Sequence, residues 1–201
     1  MSTIPNKLVQ FWQNDSIVED AVSVLRVIQK RSQGLARFAE SYNSLLQLTS
    51  PERKLFRVTG LFDEVKLHFL ESIKERAIAW STSVLPDTLE LNADEQLVSQ
   101  VLVNLIRNAI RAMEKTLKPR MELKAYMEGS KVIIEVVDNG EGIPEDIIGS
   151  VFVPFFTTRE NGSGIGLSLS KQIMTAHNGS IDAISKPGEW TMFRLVFYQI
   201  L

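Results

Sequence analysis

The sequence predicts an α+β fold: a two-layer α/β sandwich with a mixed, mainly antiparallel sheet and helices on one face, preceded by a long helical segment. Three observations carry that expectation. Between Ser16 and Leu48 there is no Pro, and apolar or small residues recur at steps of three and four. Beyond Pro51, helix-periodic stretches alternate with β-rich runs. Several of those runs are joined by short glycine-bearing turns, which favour hairpins over the long crossovers of a parallel sheet.

The first helical seam runs through Val18, Ala21, Leu25, Ile28, Ser32, Leu35, Ala39, Tyr42 and Leu46. Its stripe is narrow, which suits packing along another long helix, in a hairpin or a dimer; a surface helix lying on its own domain is the alternative. Thr49-Ser50-Pro51 ends it, because Pro disfavours helical geometry in the residue before it. The domain boundary is therefore placed there, giving a helical segment 1–50 and a sandwich domain 51–201. Within the second, Phe56 to Thr59 reads as a short strand, Leu61 to Glu75 as an amphipathic helix, and Ile78 to Val84 as a strand stopped by Pro86. Leu89 to Leu91 precedes Asn92-Ala93-Asp94, a helix start for a stretch reaching about Glu114. Met121–Met127 and Lys131–Val137 form a hairpin around Gly129. A helix from Ile165 to His177 stops at Asn178-Gly179, and strands 180–185 and 192–198 flank a Pro187-Gly188 turn.

Composition narrows the chemistry. With 201 residues, 44% hydrophobic and 23% charged, the chain can bury a core and is neither disordered nor collagenous. A net charge of -2 supplies no global attraction for a polyanion, so any phosphate site must be local. No cysteine is present and only two histidines, which excludes thiolate chemistry and leaves little for a histidine metal site. No apolar run approaches the roughly 18 to 20 residues of a membrane span, and a soluble, cytoplasmic chain is expected.

Three clusters bear polar chemistry. Asn104, Asn108 and Arg111 stack on one side of the predicted helix, opposite Val98, Val101, Leu102, Leu105 and Ala109. Asn is a poor helix-interior residue, so two of them one turn apart point either to a solvated stripe or to a ligand. A carboxamide oxygen can ligate Mg²⁺, and Arg111 could face phosphates. Next, Asp138-Asn139-Gly140-Glu141-Gly142-Ile143-Pro144 is either an Asn-Gly hairpin or a turn into a helix begun by Pro144. A carboxylate at that turn can accept a hydrogen bond from an exocyclic amine while bare glycine backbone lies along a flat ring. Finally, Gly162, Gly164 and Gly166 lead into a helix whose first amides could meet an anion, although a flexible loop would share that composition. The segment lacks the Gly-Lys-Ser/Thr of a P-loop, and Leu167 breaks the dinucleotide fingerprint. Between these clusters, Phe152, Phe155 and Phe156 either pack under a loop or lead into a mobile lid.

In this order the segments resemble the ATP-binding catalytic domain of sensor histidine kinases, within the superfamily of gyrase, MutL and heat-shock chaperones. The resemblance covers about residues 51 to 201. Asn104 to Arg111 looks like the N box, Asp138 to Pro144 the first glycine box, Val151 to Thr158 the phenylalanine box, and Gly162 to Leu169 the second glycine box. It implies ATP and Mg as cofactors. Asn108 would hold Mg²⁺, Asn104 and Arg111 would serve the phosphates, and Asp138 would bind the adenine amino group beside Gly140, Gly142 and Ile143. Thr157, Thr158, Gly162, Gly164, Ile165, Gly166 and Leu167 would line the lid side, and Thr191 resembles the adenine-side threonine of a last glycine box, though Glu189 and Trp190 depart from its small residues.

ATP-hydrolysing relatives carry a Glu base where Asn104 stands; Asn cannot take a proton from water, which favours phosphoryl transfer. The first 50 residues then resemble part of the dimerisation and histidine-phosphotransfer hairpin. Neither His has the acceptor's setting: His68 is expected to pack and His177 to make a polar contact at a helix end. The expected protein is thus a catalytic fragment that phosphorylates a histidine on the same or a second kinase chain, dimeric when the hairpin is intact, with a response regulator as the complete protein's partner. A non-catalytic nucleotide-dependent interaction module and a gyrase-like ATPase are the alternatives.

Overall fold

The computed structural model describes residues 18–29, 32, 51–159 and 162–198. The chain divides into two compact units, Met1–Ser44 and Leu45–Leu201. In the first, residues 18–29 form helix α1 and are exposed throughout, Val18, Leu25 and Ile28 of the seam included. The later seam positions Leu35, Ala39, Tyr42 and Leu46 lie outside the described residues.

In the second unit, β1 (Lys54–Arg57) pairs antiparallel with β3 (Glu90–Ala93) as a small ribbon. The main sheet has the order β2-β4-β5-β7-β6, from Ala79–Leu85, Arg120–Glu128, Lys131–Asp138, Trp190–Tyr198 and Ser180–Lys186. Only β2 and β4 run parallel; the other neighbours are antiparallel, the mixed sheet that the short turns foretold. Gly129 and Gly188 take the positive φ that the two hairpin turns require.

Helices α2 (Val58–Leu67), α4 (Glu95–Ala112) and α6 (Gly166–Ala176) supply the second layer, with α3 (Leu70–Glu75) and the single turn α5 (Glu145–Ile148) as accessories. Their apolar stripes and alternate sheet residues make one core: Leu61, Phe62, Leu102, Leu105, Ile106, Ile173 and Met174 meet Leu123, Ile134, Val136 and Leu195. Asp94 starts α4 as expected, accepting a hydrogen bond from the amide of Leu97 at 3.2 Å.

Three local expectations are corrected. The first strand begins and ends earlier than Phe56 to Thr59, since Val58 is wholly buried and already helical. The helix expected from Leu61 to Glu75 is two helices, because the backbone leaves helical geometry at Phe69, whose ring turns into the core. His68, at that break, is exposed rather than packed.

Candidate nucleotide site

Three elements meet at one end of the sandwich. Helix α4 carries Asn104 and Asn108, both half-buried, and the exposed Arg111 on one face. Helix α6 packs against α4 and runs antiparallel to it: Asn104 Nδ2 donates to Ser170 Oγ at 2.9 Å in the first turns of α6, while the Asp94 amide donates to His177 Nε2 at 3.0 Å at its far end. The third element is the turn after β5, pressed onto the end of α4. There the Glu141 amide donates to the Ala112 carbonyl at 3.1 Å, and a Cβ on Gly140 would stand 2.7 Å from that carbonyl oxygen. Gly140 is therefore required for close approach.

Asp138 ends β5 and is 2% exposed. Its Oδ1 accepts from the Gly140 amide at 2.9 Å. Burial pushes its carboxyl up from 3.8 to about 6, against the pull of the Gly140 amide and of the Arg159 charge. Thr191 pairs with Asp138 across β5 and β7, is equally buried, and shares a 3.1 Å contact with Ser185 Oγ. Ser185 Oγ also accepts from the Ile143 amide at 2.8 Å, so the turn and the β6–β7 hairpin are joined. Gly142 has φ +69°, and the Gly188 amide donates to the Glu141 carbonyl at 2.7 Å. The turn runs outward into α5 at Pro144; β5 pairs with β7 instead of folding back as an Asn-Gly hairpin.

On the lid side, Phe152 packs edge-to-face on Phe193 at 6.3 Å, whereas Phe155 is half-exposed with φ +65° and its amide donates to the Gly164 carbonyl at 2.9 Å. Thr157 and Thr158 are exposed, and Thr157 Oγ1 accepts from the Arg159 amide at 3.1 Å. Gly162 closes on Thr157, and Gly164 (φ +67°) on Phe155. The chain then enters α6 through the buried Ile165 and Gly166, with Leu167 half-buried behind them. No side chain caps α6, and the amides of Gly166, Leu167 and Ser168 have no partner among the described residues. These donors are free to meet an anion.

The donor set suits a magnesium nucleotide. Among the described residues, no three His, Cys, Asp or Glu side chains come together to hold a metal. The Asn108 carboxamide makes no hydrogen bond among them and offers the hard oxygen that Mg²⁺ accepts, phosphate oxygens and water completing its shell.

Residues 93–199 match the family model of the histidine kinase-, DNA gyrase B- and HSP90-like ATPases. The chain belongs to this family. Within it, the chain carries the ATP-binding catalytic domain of a sensor histidine kinase. The signal transduction histidine-protein kinase AtoS of Escherichia coli is 41% identical over 53% of this chain and 17% of its own length. The sensor histidine kinase ZraS of the same species is 31% identical over 97% of this chain and 42% of its own. The chain thus spans less than half the length of these curated relatives. Among solved structures, the catalytic domain of histidine kinase ThkA superposes with a TM-score of 0.67 at 30% identity, covering 73% of this chain and 95% of that one. ThkA in complex with the response regulator TrrA matches at 0.67 over 99% of this chain and 53% of that one; at 23% identity this likeness shows the fold alone.

Some residues of the candidate site have no signal of their own in the sequence. Asn139 seemed only half of a turn, yet its Oδ1 accepts from the Arg120 amide at 2.7 Å and its Nδ2 donates to the Lys118 carbonyl at 2.9 Å, tying the turn to the start of β4. Arg159, half-buried, faces Asp138 electrostatically. Ser170 looked like one more polar residue of α6; its partner, Asn104, is far away in sequence.

Proposed function

We propose that this domain binds ATP with Mg²⁺ and presents the γ-phosphate to a histidine on another segment or another chain. The observation that carries this reading is the convergence of the α4 asparagine face, buried Asp138 and the uncapped start of α6. Asp138 would accept a hydrogen bond from the adenine amine, with Thr191 beside it and Gly140, Gly142 and Ile143 leaving room for the ring. Asn108 would hold Mg²⁺, whose charge neutralises the phosphates. Asn104, Arg111 and the amides of Gly166 and Leu167 would fix their position. Thr157, Thr158, Gly162, Gly164 and Ile165 would shape the cover. Phosphoryl transfer needs positioning and charge stabilisation more than covalent chemistry, and this set contains no enzyme nucleophile.

Neither histidine suits the acceptor role. His177 is buried with both ring nitrogens engaged, and His68 stands exposed at a helix break. Residues 1–50 we assign to the dimerisation and phosphotransfer hairpin, and 51–201 to the catalytic domain. The complete protein would dimerise through that hairpin, act in the cytoplasm and pass its phosphate to a response regulator. Among the described residues no helix is long and apolar enough to cross a membrane.

The test supplies Mg·ATP and a separate hairpin bearing an acceptor histidine. Labelled phosphate should appear on that histidine, and Asn108→Ala should weaken Mg²⁺-dependent ATP binding about tenfold or more without lowering the melting temperature. Tight ATP binding with no transfer to any hairpin would leave a nucleotide-binding module; steady ATP turnover would point to an ATPase.

A further inference from the structure

The contact between α4 and α6 has a hydrogen-bond polarity that decides how Asn104 is oriented. Ser170 Oγ donates its only proton to the Gly166 carbonyl one turn earlier, at 3.0 Å. The hydroxyl oxygen can then only accept, and Asn104 Nδ2 donates to it at 2.9 Å. Ser170 is 1% exposed, so water does not compete for that bond. With the NH₂ group held there, the carboxamide oxygen lies over the Cα of Gly166, the first residue of α6, in the space a Cβ would fill.

We propose that Ser170 is a positioning residue for phosphoryl transfer, locking the Asn104 carboxamide with its NH₂ on α6 and its oxygen at the open start of that helix. One Nδ2 hydrogen goes to Ser170 and the other, held by the same bond, is left for a phosphate oxygen, while Gly166 is the gap that admits the carboxamide oxygen. The bond also fixes the first turns of α6, whose amides are the anion donors, relative to Asn108 on α4. A carboxylate at position 104 has no proton to offer Ser170; accommodating it would cost the serine its bond to Gly166. The socket is thus built for a carboxamide. This inference rests on the reading of the site as a phosphoryl-transfer centre, but the orientation of Asn104 can be measured without it.

Two measurements test it on the whole chain. In the nucleotide-free protein, the side-chain NH₂ resonances of Asn104 should be resolved and slow to exchange with solvent. Ser170→Ala should move them and speed their exchange, and Ser170→Thr, which keeps the hydroxyl, should restore them. In transfer to a histidine-bearing hairpin, Ser170→Ala should lower kcat about tenfold while KM for ATP changes less than about threefold, with Ser170→Thr recovering most of the rate. Unaltered NH₂ signals in Ser170→Ala, or a rate loss that threonine does not rescue while the fold persists, would overturn the positioning role. If the unaltered chain transfers no phosphate, the functional reading fails and the resonances alone decide the socket.

Discussion

At residue scale, the candidate adenine carboxylate Asp138 is held at the expense of its own fold. Burial pushes its carboxyl up to about 6, so its charge is unfavourable in the fold. The folded value exceeds the unfolded value of 3.8. The folded state therefore binds the proton more tightly, and the penalty is absent below pH 3.8, grows through the interval and is complete above about 6. At neutral pH it amounts to roughly 3 kcal/mol, at about 1.4 kcal/mol for each unit of pKa. Asp138→Asn keeps an acceptor for the Gly140 amide and removes the charge, and should raise Tm at pH 7.5 by about 5 °C in thermal unfolding. The same variant should lose preference for adenine over guanine nucleotides, since an amide presents a donor as well as an acceptor. ATP itself should bind the unaltered protein more weakly as pH falls through about 6, approaching tenfold per pH unit, by calorimetry. Asp138→Asn should lack that step; an identical profile would mean the nucleotide's own titration is responsible.

At the scale of elements, the site is the clamp between α4 and α6 together with the turn that closes on the end of α4. Gly166→Ala puts a methyl group onto the Asn104 carboxamide, 2.9 Å from Cγ, and should reduce transfer more than stability. The expected destabilisation is about 1 to 3 kcal/mol, because the bonded carboxamide must shift and a first-turn position gains little from alanine's helix propensity. Gly140→Ala meets backbone that cannot move away, 2.7 Å from the Ala112 carbonyl carbon, and should cost about 1 to 3 kcal/mol in denaturant unfolding. These elements were legible in the sequence because their signals are local: the asparagine pair one turn apart, the glycine spacing and the proline that opens α5 all act within a few residues. The bonds between them were not. The Asn104–Ser170 contact joins residues 66 apart, and Asn139 ties the turn to Lys118 and Arg120 through its side chain. The break at Phe69 is hidden for a related reason, since nothing in the apolar period of 61–75 reveals that this ring turns into the core.

Across the whole domain, the buried groups of Asp138 and His177 lie at opposite ends of the α4–α6 pair and pull stability in opposite directions. His177 donates Nδ1–H to the Ile173 carbonyl at 2.8 Å and accepts the Asp94 amide on Nε2, so both nitrogens are committed in the neutral ring. Burial, foremost, and the nearby Arg53 charge lower its pKa from 6.5, while the Ile173 carbonyl and Asp94 draw it upward; Phe197 covers the ring edge-to-face. A folded value below the unfolded one means that stability is whole above pH 6.5 and declines as pH falls beneath it. Asp138 gains stability over much of the same descent, from about 6 toward 3.8. Asp94 links the histidine to the rest of the unit, since its Oδ2 accepts the Glu52 amide at 3.1 Å, just ahead of β1, while its Oδ1 caps α4. Loss of the Nε2 acceptor would therefore loosen the end of α6 remote from the candidate site and the entry of the chain together. His177→Gln offers an uncharged acceptor to the Asp94 amide and should abolish the acid-side loss. Measured by thermal unfolding between pH 7.5 and 5, His177→Gln should gain stability on acidification relative to the unaltered protein, and Asp138→Asn should lose it. Parallel curves for all three proteins would show that neither buried group titrates in this range as its surroundings require.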